Sequence, residues 1–308
     1  MITQNLYLGA DLSPILSAST PEHLMAALER GLVQLEESDP RGRVAAVARL
    51  VAGADPDLVL LQEASTWWRR ETLLVDYPAL LLELLGGRYE LAARRAGPRS
   101  TVPTADGGRT LEVGDAILVR RGMQVVASHG DFTAVLKVET PLLGPISLAR
   151  GWAAVDAEVG GRSVRVIGTH LERAEPGLPA AYAVQEAQAA ELIAGPGGAA
   201  AVILAGDFNS DARGVGSTAT RSYEVLLAAG FQDAWEALHR GDPGFTWRKG
   251  DEIVRKDAEL GERIDLVLLR GPLRALAVER LGGKLGDRTE SGRWPSDHLA
   301  LLATVALD

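Results

Sequence analysis

The sequence predicts an α/β protein in which two β-sheets pack face to face with helices on the outside. Three observations carry this expectation. Short apolar runs of strand length end abruptly on acids, amides or histidines. Segments with helical periodicity alternate with them, and one long stretch reads as consecutive short strands joined as hairpins.

The first element is the strand Ile2-Thr3-Gln4-Asn5, which ends on an amide. Thr20-Pro21-Glu22 then reads as an N-cap followed by proline at the first helical position. Leu24, Leu28, Leu32 and Leu35 recur at helical spacing as far as Glu37, and a second helix from Arg43 presents Val44, Val47 and Val51 on one face. Residues 9–39 therefore form an insertion near the rim of the first strand, either a lid over a site or structural padding. Asp57-Leu58-Val59-Leu60-Leu61-Gln62-Glu63 is a strand too apolar to end on a carboxylate for structural reasons. Residues 114–150 read as short strands at 116–119, 123–128, 132–138 and 146–148. Val164-Arg165-Val166-Ile167-Gly168-Thr169-His170 is a strand ending on histidine, and a helix over 180–194 carries Val184, Leu192 and Ile193 among alanines. The apolar run 199–204 leads into Ala205-Gly206-Asp207-Phe208-Asn209-Ser210. There Asp207 and Asn209, two apart, point to the same side of an extended chain, although Asp and Asn also start turns. Arg263-Ile264-Asp265-Leu266-Val267-Leu268-Leu269 opens a strand on an acid, and Trp294-Pro295-Ser296-Asp297-His298 precedes the apolar run 299–305.

Polar strand ends that meet at one rim assemble a site from distant sequence. Carboxylates, two histidines and two asparagines gathered there describe a divalent-metal hydrolytic centre. Asn5, Gln62-Glu63, Gly168-Thr169-His170, Gly206-Asp207-Phe208-Asn209, Arg263-Ile264-Asp265 and Ser296-Asp297-His298 stand in the order of a known motif set. In this the chain resembles the endonuclease/exonuclease/phosphatase superfamily, which includes pancreatic-type deoxyribonucleases, abasic-site endonucleases, neutral sphingomyelinases and inositol polyphosphate 5-phosphatases. The resemblance spans residues 5 to 298. It implies a four-layer α-β-β-α sandwich with two mainly antiparallel sheets, one catalytic domain over 1–308, and Mg²⁺-dependent cleavage of phosphate esters, with Mn²⁺ as an alternative ion.

Roles follow from the chemistry of phosphate-ester cleavage, which needs charge neutralisation, an activated water and stabilisation of the leaving group. Glu63 is expected as the principal ligand of the ion, since Mg²⁺ favours oxygen donors. Asn5 is expected to give a neutral oxygen to the same ion or to hydrogen-bond the phosphate, and Asp297 to ligate a second ion. Asp207 and Asn209 would orient the attacking water and the phosphate, with Asp207 and His298 both candidates for the general base. Asp265 is expected to accept from a ring nitrogen of His298 and to raise its pKa, and His170 to donate to a non-bridging oxygen. Asp115, at a position where the family commonly has asparagine, either pairs with His170, approaches the metal or makes a turn. Arg150 either reaches a phosphate or forms a salt bridge. Trp67, Trp68, Trp247 and Trp294 flank the motifs and either line a substrate pocket or belong to the core. His23, His129 and His239 lack such context and read as surface or packing residues.

Composition bounds the partners. With 32 basic against 41 acidic residues, the formal charge of −9 argues against an extensive basic face for nucleic acid. The best local patch is Arg88 to Arg121, with seven arginines against Glu90, Asp106, Glu112 and Asp115, and a solvated arginine-rich surface is its simplest reading. The absence of cysteine excludes thiolate metal sites, disulfides and the cysteine-containing motif of the inositol 5-phosphatases. No window approaches the ~20 apolar residues of a membrane span. Met1 sits directly on the first strand, as in a cytoplasmic protein or a secreted one trimmed of its leader, and a monomer is expected. The substrate is a phosphate ester in nucleic acid, in a nucleotide or in a phospholipid headgroup. A nuclease or nucleotide phosphodiesterase is the first reading. A sphingomyelinase-like enzyme using apolar loops such as Pro141-Leu142-Leu143-Gly144-Pro145 is the alternative, and a non-catalytic binding protein of the same fold is the third.

Overall fold

A computed structural model of the chain describes residues 1–102, 104, 107–175, 178–215, 219–250 and 252–308. Two six-stranded sheets form its centre. In the first sheet the strands run in the order Leu273–Leu281, Ala300–Leu307, Ile2–Asn5, Leu58–Gln62, Gly114–Arg120, Tyr89–Ala96. In the second the order is Gln232–Asp233, Asp265–Arg270, Val202–Asp207, Arg162–His170, Gly151–Val159, Val125–Asp131. Each sheet is antiparallel except for one pair. Ile2–Asn5 runs parallel to Leu58–Gln62, and Arg162–His170 runs parallel to Val202–Asp207.

Strand alternation decides which side chains fill which layer. Leu58 and Leu60 point between the sheets, where they join Ile117, Val166, Ile203, Ala205 and Val267. Val59 and Leu61, one residue out of phase, point outward and pack under Val44, Val47 and Val51 of the helix Pro40–Ala54 and Leu81 of Tyr77–Leu84. On the second sheet Val202 and Leu204 face outward against Ala189 and Leu192 of Pro179–Ala194 and Leu226 of Ser222–Ala228. The result is helix, sheet, sheet, helix, as the resemblance implies.

The first long helix, Pro21–Glu37, begins where predicted, with the Thr20 side chain accepting from His23 N at 3.2 Å. The next starts three residues before the expected Arg43, because Asp39 caps Gly42 N at 3.0 Å and Pro40 can occupy the first turn. Strand expectations at 123–128 and 132–138 shift to Val125–Asp131 and Leu136–Thr140. Phe132 leaves the ladder to fill the outer core beside Ile167 and Leu192. The helix Pro179–Ala194 buries Ala181, Gln185, Gln188, Ala189 and Leu192; Ile193 packs half-buried against the same cluster, while two glutamines rather than Val184 share the buried face. A four-stranded sheet (Thr72–Asp76, Thr66–Arg69, Arg109–Glu112, Ser100–Val102) and the hairpin Leu136–Thr140/Gly144–Leu148 stand beside the core.

The seven arginines between Arg88 and Arg121 are engaged. Arg88 and Arg120 face Asp55, Arg94 and Arg99 bind Glu112, Arg95 binds Asp131, Arg109 binds Glu29, and Arg121 donates to the Gly87 carbonyl. Ala105 and Asp106, counted in that patch, lie outside the described residues.

Candidate active site

Both parallel strand pairs end at the same edge. Asn5 lies beside Gln62 in one sheet, while His170, Asp207 and Asp265 lie side by side in the other. Gly206 makes this possible. At φ +146° its missing Cβ leaves room for the Thr169 carbonyl, which a Cβ would meet at 2.0 Å. Glu63 (φ 50°), Asn209 (φ 48°) and Tyr7 (φ 61°) all adopt the left-handed region, three of the six non-glycine residues that do so among the described residues. Backbone strain is thus concentrated at this edge, as at sites whose geometry matters more than local comfort.

The edge opens into a cleft of about 420 Å³ lined by Glu63, Arg150, His170, Asp207, Asn209, Trp247, Asp297 and His298 among others. His298 Nδ1 lies 2.8 Å from Asp265 Oδ2, and its Nε2 lies 3.8 Å from Asp207 Oδ2. Arg150 Nη1 lies 3.0 Å from His170 Nδ1. Both nitrogens of the His170 ring stand beside donor groups, Nδ1 beside the guanidinium and Nε2 beside the Asn209 amide, and Nε2 also lies 3.4 Å from Asp207 Oδ2. The Asn209 amide nitrogen is 2.9 Å from that Nε2 and donates to the Leu171 carbonyl, while Asn209 N donates to Asp207 Oδ1 at 2.9 Å.

Charge separates the two histidines. Burial alone would lower the His298 pKa, but the Asp265, Asp297 and Asp207 carboxylates outweigh it and hold the ring well above its ordinary value. Burial, reinforced by Arg150 and by His298 itself, drives His170 well below 6.5. One ring is therefore an imidazolium and the other neutral. Asp207 is pushed up to about 6 by burial, with His298 opposing the shift. Glu63 is raised by burial and then by the Asp297 charge.

The donor set fits a hard divalent cation. Glu63 and Asp297 are two carboxylates whose mutual repulsion such an ion would relieve, and oxygen donors are what Mg²⁺ and Mn²⁺ take. Asp207, Asp265 and His298 also lie within ligating distance of one another, each with a donor atom inside 4.8 Å of the others. That grouping is the poorer one, because an imidazolium bonded through Nδ1 to Asp265 offers no lone pair. Asp265 Oδ1 is buried without a hydrogen-bond partner.

Several expected residues stand differently. Asn5 is 1% exposed, and its Oδ1 accepts from Tyr7 N at 2.9 Å while its Nδ2 donates to Asp207 Oδ2 at 3.0 Å. Its amide therefore steadies Asp207, and its side chain also hydrogen-bonds Glu63, the expected ligand. Asp115 is buried among Arg95, Arg150, Glu63 and Asp207, away from the cleft surface, and burial lifts it to about 7. It does not pair with His170, whose Nδ1 faces Arg150. Trp294 is a packing residue: it is 3% exposed, donates to the Arg255 carbonyl at 2.7 Å and lies between Arg248 and Arg288. Trp247 does line the cleft, with Arg173 over its ring at 5.3 Å. Arg150 also faces Glu172 at 3.7 Å, which bears out the salt bridge, and it lines the cleft.

Sequence reasoning missed Gln185 and Glu172. The fully buried Gln185 donates to the carbonyls of Asn209 (2.7 Å) and Glu172 (2.8 Å), tying the Asn209 turn to the outer helix. The signal was present in the spacing, because Ala181, Gln185 and Ala189 recur four apart with Leu192 on the same face. The insertion over 9–39 forms a cleft wall through Leu12, Ile15, Leu16 and Leu28. It is anchored by Arg109 to Glu29 and by Trp67 Nε1 to the Leu8 carbonyl at 3.1 Å.

Solved structures share the fold. An endonuclease/exonuclease/phosphatase family protein from Leptotrichia buccalis is 17% identical, with 99% of each chain covered and a TM-score of 0.60. Its counterpart from Beutenbergia cavernae is 18% identical over 99% of this chain and 70% of that one, with a TM-score of 0.59. D. rerio TDP2, complexed with a single-strand DNA product, is 19% identical over 86% of this chain and 92% of that one, with a TM-score of 0.54. No curated protein matches the chain by sequence. The model of the Endonuclease/Exonuclease/phosphatase family matches residues 3–298, so the chain belongs to that family and with it to the metal-dependent phosphoric ester hydrolases.

Proposed function

We propose that the protein hydrolyses phosphodiesters with the help of Mg²⁺ or Mn²⁺. The observation that carries this is geometric: His170 and His298 stand 3.4 and 3.8 Å from one carboxylate, Asp207, and their surroundings push the two rings in opposite directions. Groups whose environments push their pKa values apart are suited to separate acid and base work. Asp207, ionised at neutral pH, accepts the proton of the attacking water while Asn5 and Asn209 N hold its carboxylate in position. His298, kept charged by Asp265, donates to a phosphoryl oxygen where negative charge develops. Neutral His170, held by Arg150, offers one N–H on the other side. A divalent ion bound by Glu63 and Asp297 supplies neutralisation of the phosphate oxygens.

The nuclease reading takes support from the D. rerio neighbour and its DNA product. It gains none from an extended basic surface, since the arginines over 88–121 are engaged and the net charge is −9. A phospholipid phosphodiesterase draws support from the apolar cleft walls. The test is one panel with Mg²⁺ or Mn²⁺ over plasmid, single-stranded DNA, RNA, sphingomyelin and bis-p-nitrophenyl phosphate. Metal-dependent turnover lost in Glu63→Gln and His298→Ala is expected. Turnover of every substrate no greater than that of His298→Ala would refute the proposal.

A further inference from the structure

Away from the carboxylates the cleft changes character. Ile15 and Leu16 of the insertion, Leu111 of the four-stranded sheet with Val113 just beyond it, and Ile146 and Leu148 of the hairpin strand Gly144–Leu148 line it, all half-buried. They come from three distant chain segments, so their meeting is not a by-product of one element's periodicity. Apolar side chains left in a concave, water-filled surface gain free energy when an apolar group displaces that water. The trench is continuous with the reacting end, because Leu148 is two residues from Arg150, which lies on His170. Among the described residues its cations are engaged, Arg109 with Glu29, Arg150 with Glu172 and Arg173 over Trp247, and they form no row of the kind that tracks a polyanion.

We propose that the substrate is a phosphodiester with one apolar arm, alkyl or aryl, seated between the helix Ser13–Leu16 and the strand Gly144–Leu148. This rests on the phosphodiesterase reading above and names the class of diester. Hydrolysis forms one P–O bond to the oxygen of water and breaks one P–O ester bond, the departing oxygen taking up a proton. The trench reads the carbon skeleton and the rim reads the phosphate.

The probe is a series of n-alkyl phosphates, methyl to hexyl, titrated calorimetrically into the Mn²⁺-loaded protein, beside bis-p-nitrophenyl phosphate turnover under the same conditions. Each methylene buried should tighten binding by up to about fourfold until the trench is filled, with an increasingly negative heat-capacity change. Ile15→Asp should flatten the series. Leu148→Ser provides a second variant should the first misfold, and both are checked by thermal melting. Turnover together with affinities that do not change with chain length would overturn the apolar arm and leave the phosphodiesterase standing. Thymidine 5′-phosphate binding more tightly than hexyl phosphate would overturn it as well. A graded series with no turnover of any diester would overturn the hydrolytic reading and make the trench a ligand site rather than a substrate site.

Discussion

Replacing Asp265 by asparagine isolates the charge that holds His298 protonated. The two groups are in contact at 2.8 Å and both are buried, Asp265 at 1% and His298 at 6% exposure. With charge centres about 4 Å apart and an effective dielectric constant of about 20, their attraction is about 4 kcal/mol, or about three pKa units. Asparagine keeps an oxygen that can accept the Nδ1 proton, so the ring stays oriented while its charge is lost near neutral pH. Asp297 and Asp207 still support the imidazolium, which makes three units an upper bound. The assay is kcat/KM against pH on bis-p-nitrophenyl phosphate with saturating Mn²⁺, for both single variants and the double variant. The wild-type acidic limb should fall as pH drops through about 6, where Asp207 takes up its proton. The basic limb should fall as pH rises through the raised His298 value. Asp265→Asn should leave the acidic limb nearly in place and move the basic limb down, so the loss is about 10²- to 10⁴-fold at pH about 8 and shrinks toward pH about 6. His298→Ala should lose at least as much, and the double variant little more than His298→Ala alone. Losses that are equal at every pH, or additive in the double variant, would refute the pairing as the source of the effect.

Removing divalent ions with EDTA should abolish turnover, and Mg²⁺ or Mn²⁺ should restore it; at a hundred times its Kd the ion should also stabilise the fold by about 2.7 kcal/mol in thermal melts. Gly206→Ala should destabilise by more than about 1 kcal/mol in urea, since the new Cβ would press on the Thr169 carbonyl at a backbone angle alanine disfavours. Asp115→Asn should stabilise with a distinctive pH dependence. Burial lifts this carboxyl from 3.8 to about 7, so the folded state holds a proton that the unfolded state releases. The cost to the wild type is absent below about pH 4 and complete above about pH 7, and the variant's advantage should grow to about 2–4 kcal/mol across that window. Equal melting shifts at low and high pH would contradict it.

The rim was legible because each of its residues directly follows or precedes a buried strand. An apolar run such as Leu58 to Leu61 or Ile203 to Ala205 fixes both the layer and the point where the chain meets solvent. What the pattern could not give was orientation. Asn5 reads equally well as an ion's oxygen or as a support, and only the folded chain shows its amide on Asp207 and its oxygen accepting from the Tyr7 N–H, turned by a left-handed backbone. Asp115 likewise sits at the right strand end, yet Arg150 takes the nitrogen it was expected to meet. Gln185 was missed because a polar residue in an alanine-rich helix reads as solvent-facing, and its two buried carbonyl partners are contributed by distant segments. Trp294 was left open between pocket and core, since neighbouring a motif in sequence does not give a side chain the motif's direction.

The two short bonds at the centre of the site each join one sheet to the other. Asn5 and His298 are contributed by the first sheet or the turn into it, while Asp207 and Asp265 belong to the second. Neither sheet alone holds the His298–Asp265 pair or the Asn5 bond that steadies Asp207. The machinery is thus a gauge of alignment between two plates, zeroed by the side chains packed between them, where Leu60 comes within 3.4 Å of the Cβ position of Gly168. A methyl group there would meet Leu60 in ordinary contact, but a bulkier wedge such as Gly168→Val would open the gap between the halves and appear first as lost turnover, before any lost secondary structure. Activity in this molecule therefore reports the docking of its sheets, and a partly folded chain with intact strands has no fraction of it.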